Sequence, residues 1–103
     1  MSNDKKLTRQ RFRDSVFKRD NYKCRVCDES KLVLDAHHIT DRNLMPNGGY
    51  VKENGISLCP DCHVKAETWT GKKECLEVFA PVDLYDLIGS SYELAREKSE
   101  KLK

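Results

Sequence analysis

CRVCDESKLVLDAHHITDRNLMPNGGYVKENGISLCPDCH, residues 24–63, carries a Cys-x-x-Cys pair at each end and all three histidines of the chain at or between those pairs. A thiolate pair two residues apart can aim both sulfurs at one ion from a tight turn. Two such pairs complete a tetrahedron, so Cys24, Cys27, Cys59 and Cys62 read as a closed structural Zn²⁺ site. The competing readings are a redox Cys-x-x-Cys or two disulfides. The N-terminal stretch MSNDKKLTRQ lacks the apolar core of a secretory signal, and no run is apolar enough to span a bilayer. A reducing cytoplasmic compartment is therefore expected, which favours metal over disulfides. The odd cysteine, Cys75, reads as a small buried apolar residue.

Between the pairs lie the elements of a small finger. Residues 32–39 are rich in strand formers, with Val33, Asp35, His37 and Ile39 on one face and Leu34, Ala36 and His38 on the other. A loop with strong turn signals at Pro46, Asn47, Gly48 and Gly49 follows. Residues 55–58 form a short second strand that runs into the second Cys pair. From Pro60 a helix is expected, since proline in the first turn lacks only an N–H that would be unpaired there. His63 directly follows Cys62 near the start of that helix, and Glu67 shares its face four residues on.

Outward from this segment, residues 8–20 read as a helix. Thr8 is placed to cap it, and Phe12, Val16 and Phe17 recur at helical spacing. After the finger helix, a short helix bearing Cys75, Leu76, Val78 and Phe79 lies between the breakers Thr70-Gly71 and Ala80-Pro81. Residues 82–88 and 92–102 also read as helices, and the last has few apolar residues to hold it.

The chain has 103 residues, 38% apolar and 35% charged, which suits one small core with a metal staple and not two independent cores. Its net charge of +2 conceals an asymmetry. Residues 1–27 hold nine Lys and Arg against three Asp and Glu, whereas the remainder holds ten against fourteen. A basic N-terminal third suits a polyanion.

The segment Cys24-x-x-Cys27, Ala36-His37-His38-Ile39, Glu53-Asn54-Gly55-Ile56-x-Leu58-Cys59-Pro60-x-Cys62-His63 resembles the HNH nucleases of the ββα-metal superfamily, in their four-cysteine zinc-knuckle branch. The preceding run Val16-Phe17-Lys18-Arg19-Asp20-x-Tyr22-x-Cys24 is similar too, so the resemblance covers roughly residues 12–67. It implies an α+β fold: a small ββα-metal finger with an N-terminal helix, a structural four-cysteine zinc site and a helical C-terminal tail. The nuclease domain is expected over 1–69 and a helical extension packed on it over 70–103, its end frayed.

The resemblance also implies roles. His37 and His63 would hold a divalent cation, Mg²⁺, Mn²⁺ or Ni²⁺, with Glu67 as a further ligand. Glu67 stands where the similar colicin DNases carry another histidine, and a carboxylate favours the harder ions. His38 would be the general base, with Asn54 orienting it through its main chain. Arg9, Arg11, Arg13 and Arg42 are candidates for phosphate contacts. The implied activity is hydrolysis of phosphodiester bonds in nucleic acid, with DNA the expected substrate, by a monomer or a dimer. The main alternative is a non-catalytic zinc module that binds nucleic acid. A third reading is a protein-interaction domain whose tail docks a partner. The juxtaposition of His37 and His38 favours the nuclease, because a binding scaffold needs no base beside a ligand.

Overall fold

The computed structural model describes residues 2–28, 33–68 and 80–102. The expected helix bearing Cys75, Leu76, Val78 and Phe79, the strand start at Leu32 and the domain boundary at 69–70 lie outside them. The described elements are α1 (Ser2–Arg19), β1 (Asp35–His38), β2 (Gly55–Leu58), α2 (Pro60–Thr68), α3 (Pro81–Leu87) and α4 (Tyr92–Glu100). Three short 3₁₀ turns, at Arg42–Leu44, Pro46–Gly49 and Lys52–Asn54, fill the loop between the strands. The fold is α+β, with a two-stranded antiparallel sheet followed by α2. No helix among the described residues is long and apolar enough to cross a membrane.

The first helix starts earlier than the sequence suggested. It begins at Ser2, so Thr8 is interior and does not cap it. Residues 2–7 contain neither proline nor glycine, and nothing interrupts the hydrogen-bond ladder once it is nucleated. Phe12 and Val16, one turn apart, are buried on the face toward the sheet. A Cβ at Gly55 would come within 2.5 Å of Val16 Cγ2 and 2.7 Å of the Phe12 ring. Glycine at the head of β2 is what lets the helix lie this close.

The first strand is shorter than expected. It pairs Asp35 with Leu58, Ala36 with Ser57, His37 with Ile56 and His38 with Gly55. Beyond Leu58 the partner chain turns into Cys59 and α2, so Val33 and Leu34 find no ladder. Ile39 leaves the sheet but still donates its N–H to the Asn54 carbonyl at 2.9 Å.

Asp20, whose side chain is fully buried, ties α1 to β2. Arg19 grips its carboxylate with two bonds of 2.7 and 2.8 Å, and Ser57 donates its N–H at 2.9 Å. A buried charge is tolerated when its lone pairs are used in this way. Arg19 also donates to the carbonyls of Lys52 and Gly55, on either side of Asn54.

The core joins Ile39, Met45, Ile56, Leu58 and Ala66 to Leu84, Tyr85 and Ala95 of the C-terminal helices. Ser91 caps α4 by accepting from the Leu94 N–H at 3.0 Å. Asn47, in the left-handed region at φ 53°, donates to the carbonyls of Ser99 and Leu102 at 2.9 and 2.8 Å. These bonds join the end of the described chain to the loop between the strands.

Candidate metal centre and active-site cleft

The four cysteines converge. Cys24 and Cys27 lie on the turn after α1, while Cys59 and Cys62 lie at the exit of β2 and the start of α2. Each offers a sulfur, and the four sulfurs lie within 4.8 Å of one another. The Cys27 and Cys59 sulfurs are 3.7 Å apart. A tetrahedral zinc with bonds of about 2.3 Å needs edges of roughly 3.8 Å, whereas a disulfide needs about 2.05 Å. None of the four is joined in a disulfide, and the donor set and spacing fit Zn²⁺.

Backbone geometry builds this cluster. Asp28, at φ 61°, closes the first knuckle by donating its N–H to the Cys24 carbonyl at 2.8 Å. Arg25 N–H reaches the Ser57 carbonyl at 3.0 Å, fastening the knuckle to β2. Burial opposes charge on Cys24, but hydrogen bonds from the backbone of Cys27, Cys59 and Val26 outweigh it and bring its thiol down to about 7. Burial and the neighbouring sulfurs push the Cys62 thiol up. A dication at the centre would remove this asymmetry by binding four thiolates.

Beside the cluster is a cleft lined by His37, His38, Arg42, Leu44, His63 and Glu67, among others. Alternation along β1 sends the two adjacent histidines apart. His37 meets His63 of α2, ring centroids 5.2 Å apart. His38 stacks on Phe12 of α1 at 4.4 Å and meets Tyr50 edge to face at 4.9 Å. Its Nε2 is buried and has no hydrogen-bond partner among the described residues.

His63 is held from both sides. Its Nδ1 lies 3.0 Å from Asp35 Oδ2, and its Nε2 lies 3.0 Å from Glu67 Oε1. Glu67 is thus brought to His63, although its side chain is 64% exposed. Cis ligands of an octahedral ion with bonds of about 2.1 Å lie roughly 3.0 Å apart. The His63–Glu67 spacing fits that pair alone; His37 meets His63 ring to ring, and among the described residues only the four cysteines gather three or more ligand atoms at metal-binding distance. Burial, followed by the charge of His63 and His38, brings His37 down to about 4. It therefore stays neutral, with a lone pair to offer, at neutral pH. Burial and the nearby Arg42 also lower His38.

Asn54 is fully buried at the turn before β2. It was expected to bond the main chain of His38, and it does not. Its side chain instead brackets Thr40, two residues on, accepting from the Thr40 N–H and donating to the Thr40 carbonyl, both at 3.0 Å. The reason is register: Gly55 takes the place opposite His38, so Asn54 faces the chain after it leaves the sheet. Asn54 Nδ2 also donates to the Gly49 carbonyl at 3.3 Å. A Cβ on Gly49, at φ 65°, would lie 2.7 Å from that nitrogen.

Of the four arginines expected to contact phosphate, Arg42 reaches the cleft and donates to the Tyr50 hydroxyl at 3.4 Å. Arg42 and Arg9 together lower the Tyr50 phenol, Arg42 contributing most. Arg13 instead lies over the Phe17 ring at 5.9 Å. Arg11 is exposed on α1 and is not among the residues lining the cleft.

Sequence reasoning missed Asp35 and Tyr85. Asp35 sits two residues before His37 on the same strand face, and that alternation was the available signal. Tyr85 carried none, being 31 residues from Asn54, whose Oδ1 accepts from its hydroxyl at 2.7 Å.

The family model described as HNH endonuclease matches residues 24–68. That segment spans both cysteine pairs, the two strands and α2. No curated protein and no solved structure matches the chain.

Proposed function

We propose that the HNH endonuclease domain at residues 24–68 makes this chain a metal-dependent nuclease that hydrolyses phosphodiester bonds in nucleic acid, DNA first among them. The observation that carries this reading is the cleft shared by His37, His38 and His63. Two of its imidazoles approach each other from β1 and α2, and the third enters from the opposite face of β1.

In this reading His37, His63 and Glu67 hold one divalent cation. The cation would supply positive charge beside the scissile phosphate, where charge develops as the bond to the leaving oxygen breaks. Asp35 accepts the Nδ1 proton of His63, which leaves the Nε2 lone pair directed to the ion, a common arrangement around metal-binding histidines. His38 is the general base: its lowered pKa keeps it neutral, so it can take a proton from water while the resulting hydroxide attacks phosphorus and the 3′ oxygen departs. Because Nε2 is buried against aromatic rings, Nδ1 is the nitrogen that serves the cleft. Asn54 keeps the exit of β1 in place through Thr40 and Ile39, and so orients His38 indirectly. Arg42 and Arg9, gathered around Tyr50, contact phosphates flanking the cut. Arg11 and Arg13 add sequence-independent attraction along α1.

The nuclease domain extends over 1–69 with the helices of 70–103 as its extension. One site cuts one strand, so a double-strand break takes a dimer or two visits.

The test is to incubate zinc-loaded protein with supercoiled plasmid, linear duplex and single strands, with and without Mg²⁺, Mn²⁺ or Ni²⁺. Nicking that requires the ion and falls by at least about 10²-fold in His38→Ala supports the reading. Salt-sensitive binding with no cleavage under any ion would establish the non-catalytic zinc module instead.

A further inference from the structure

The buried amide of Asn54 has two N–H donors and two acceptor lone pairs, and each has a partner. Nδ2 donates to the carbonyls of Thr40 and Gly49. Oδ1 accepts from the Thr40 N–H and from the Tyr85 hydroxyl. Three of these four bonds stay within residues 40–54. The fourth, at 2.7 Å the shortest, comes from α3, beyond the segment that the family model matches.

Tyr85 does more than complete Asn54. Its hydroxyl is also 2.6 Å from Thr40 Oγ1, so one buried phenol touches both the asparagine and the residue that the asparagine brackets. Other contacts hold the C-terminal helices to the same loop. Ser90 Oγ donates to the carbonyl of Glu53, next to Asn54, at 2.9 Å. Arg25, on the first knuckle, donates to the carbonyl of Leu87. The extension is therefore bonded to both flanks of the site.

We propose that Tyr85 is a positioning residue: from the C-terminal extension it locks Asn54 and Thr40 against each other, and so sets the exit of β1 that carries His38. This rests on the nuclease reading above. The extension then completes the site, and residues 24–68 alone lack one of its hydrogen-bond donors. Tyr85→Phe keeps the ring that fills the core and removes only the hydroxyl. Asn54 Oδ1 would retain the Thr40 N–H alone, and Thr40 Oγ1 would lose its partner.

The experiment uses the full zinc-loaded chain. In Tyr85→Phe, kcat for nicking should fall about fivefold with KM unchanged, the scale of one neutral hydrogen bond. In an Asn54→Ala background the same substitution should cost nothing further, because the two act as one unit. Independently of activity, the Thr40 amide and the Asn54 side-chain NH₂ resonances should move in Tyr85→Phe. Resonances that stay in place, or losses that multiply with those of Asn54→Ala, would overturn the proposal while leaving wild-type nicking untouched. A wild-type chain that nicks under no ion would instead overturn the nuclease reading, and with it the catalytic half of this proposal.

Discussion

His37 and His38 are neighbours in the chain with separate surroundings, and the difference follows from strand alternation. His37 shares its face with Asp35 and looks toward His63, whereas His38 is pressed between Phe12 and Tyr50. Burial disfavours the imidazolium in both. For His37 the sign of the pH effect is definite. Its folded value, about 4, lies below its ordinary 6.5, so the unfolded chain takes up the proton first. Stability is complete above about 6.5, declines as pH falls through that value and stops declining near 4. Urea midpoints of the zinc-loaded chain, measured from pH 7.5 to 4.5 without other divalent ions, should drop with acidification, and less steeply in His37→Gln. Parallel slopes for the two chains would contradict the assignment.

The candidate residues of this site could be picked out because their spacing is local. Cys24 and Cys27, or Cys62 and His63, announce themselves within four residues. Asp35 and Tyr85 did not, because their partners lie 28 and 31 residues away and no short-range pattern records such a contact. The Asn54 contact was misjudged for a related reason: a shift of one residue in register decides whether an amide faces His38 or Thr40.

At the scale of elements, the loop between β1 and β2 does the positioning. Asn47, Gly48 and Gly49 all have positive φ, which brings the Gly49 carbonyl against Asn54. The turn signals in Pro46-Asn47-Gly48-Gly49 were readable, but not their purpose, since only the folded loop sets Gly49 against the asparagine. Gly49→Ala should destabilise the chain by about 1–3 kcal/mol, since its Cβ would need both a left-handed backbone and space occupied by Asn54 and Met45. Urea denaturation measures this, and nicking should fall with it; an unchanged midpoint would show that the loop relaxes freely. The helix α1 was legible as a helix from Phe12 and Val16. Its beginning was not, because residues 2–7 carry no residue that would stop it.

The molecule as a whole has a small core into which sulfur, β2 and two C-terminal helices all contribute. Cys24, Cys59 and Cys62 belong to that core and are also candidate ligands, so the metal and the fold depend on each other. In zinc-finger peptides such binding is worth on the order of 10 kcal/mol. Chelating zinc should therefore abolish near-ultraviolet circular dichroism and cooperative unfolding. Zn²⁺ should restore both, and Mg²⁺ or Mn²⁺ should not. A chelated chain that still unfolds cooperatively would mean that the apolar core suffices alone.

The separation of cation holding from proton transfer can be measured most directly by titrating Mn²⁺ into zinc-loaded protein by electron paramagnetic resonance, alongside plasmid nicking on the same samples. Wild type should bind one Mn²⁺ and nick; His38→Ala should bind it as tightly and fail to nick; His63→Ala should lose both. Nicking that survives in His38→Ala, or Mn²⁺ binding that survives unchanged in His63→Ala, would contradict the account.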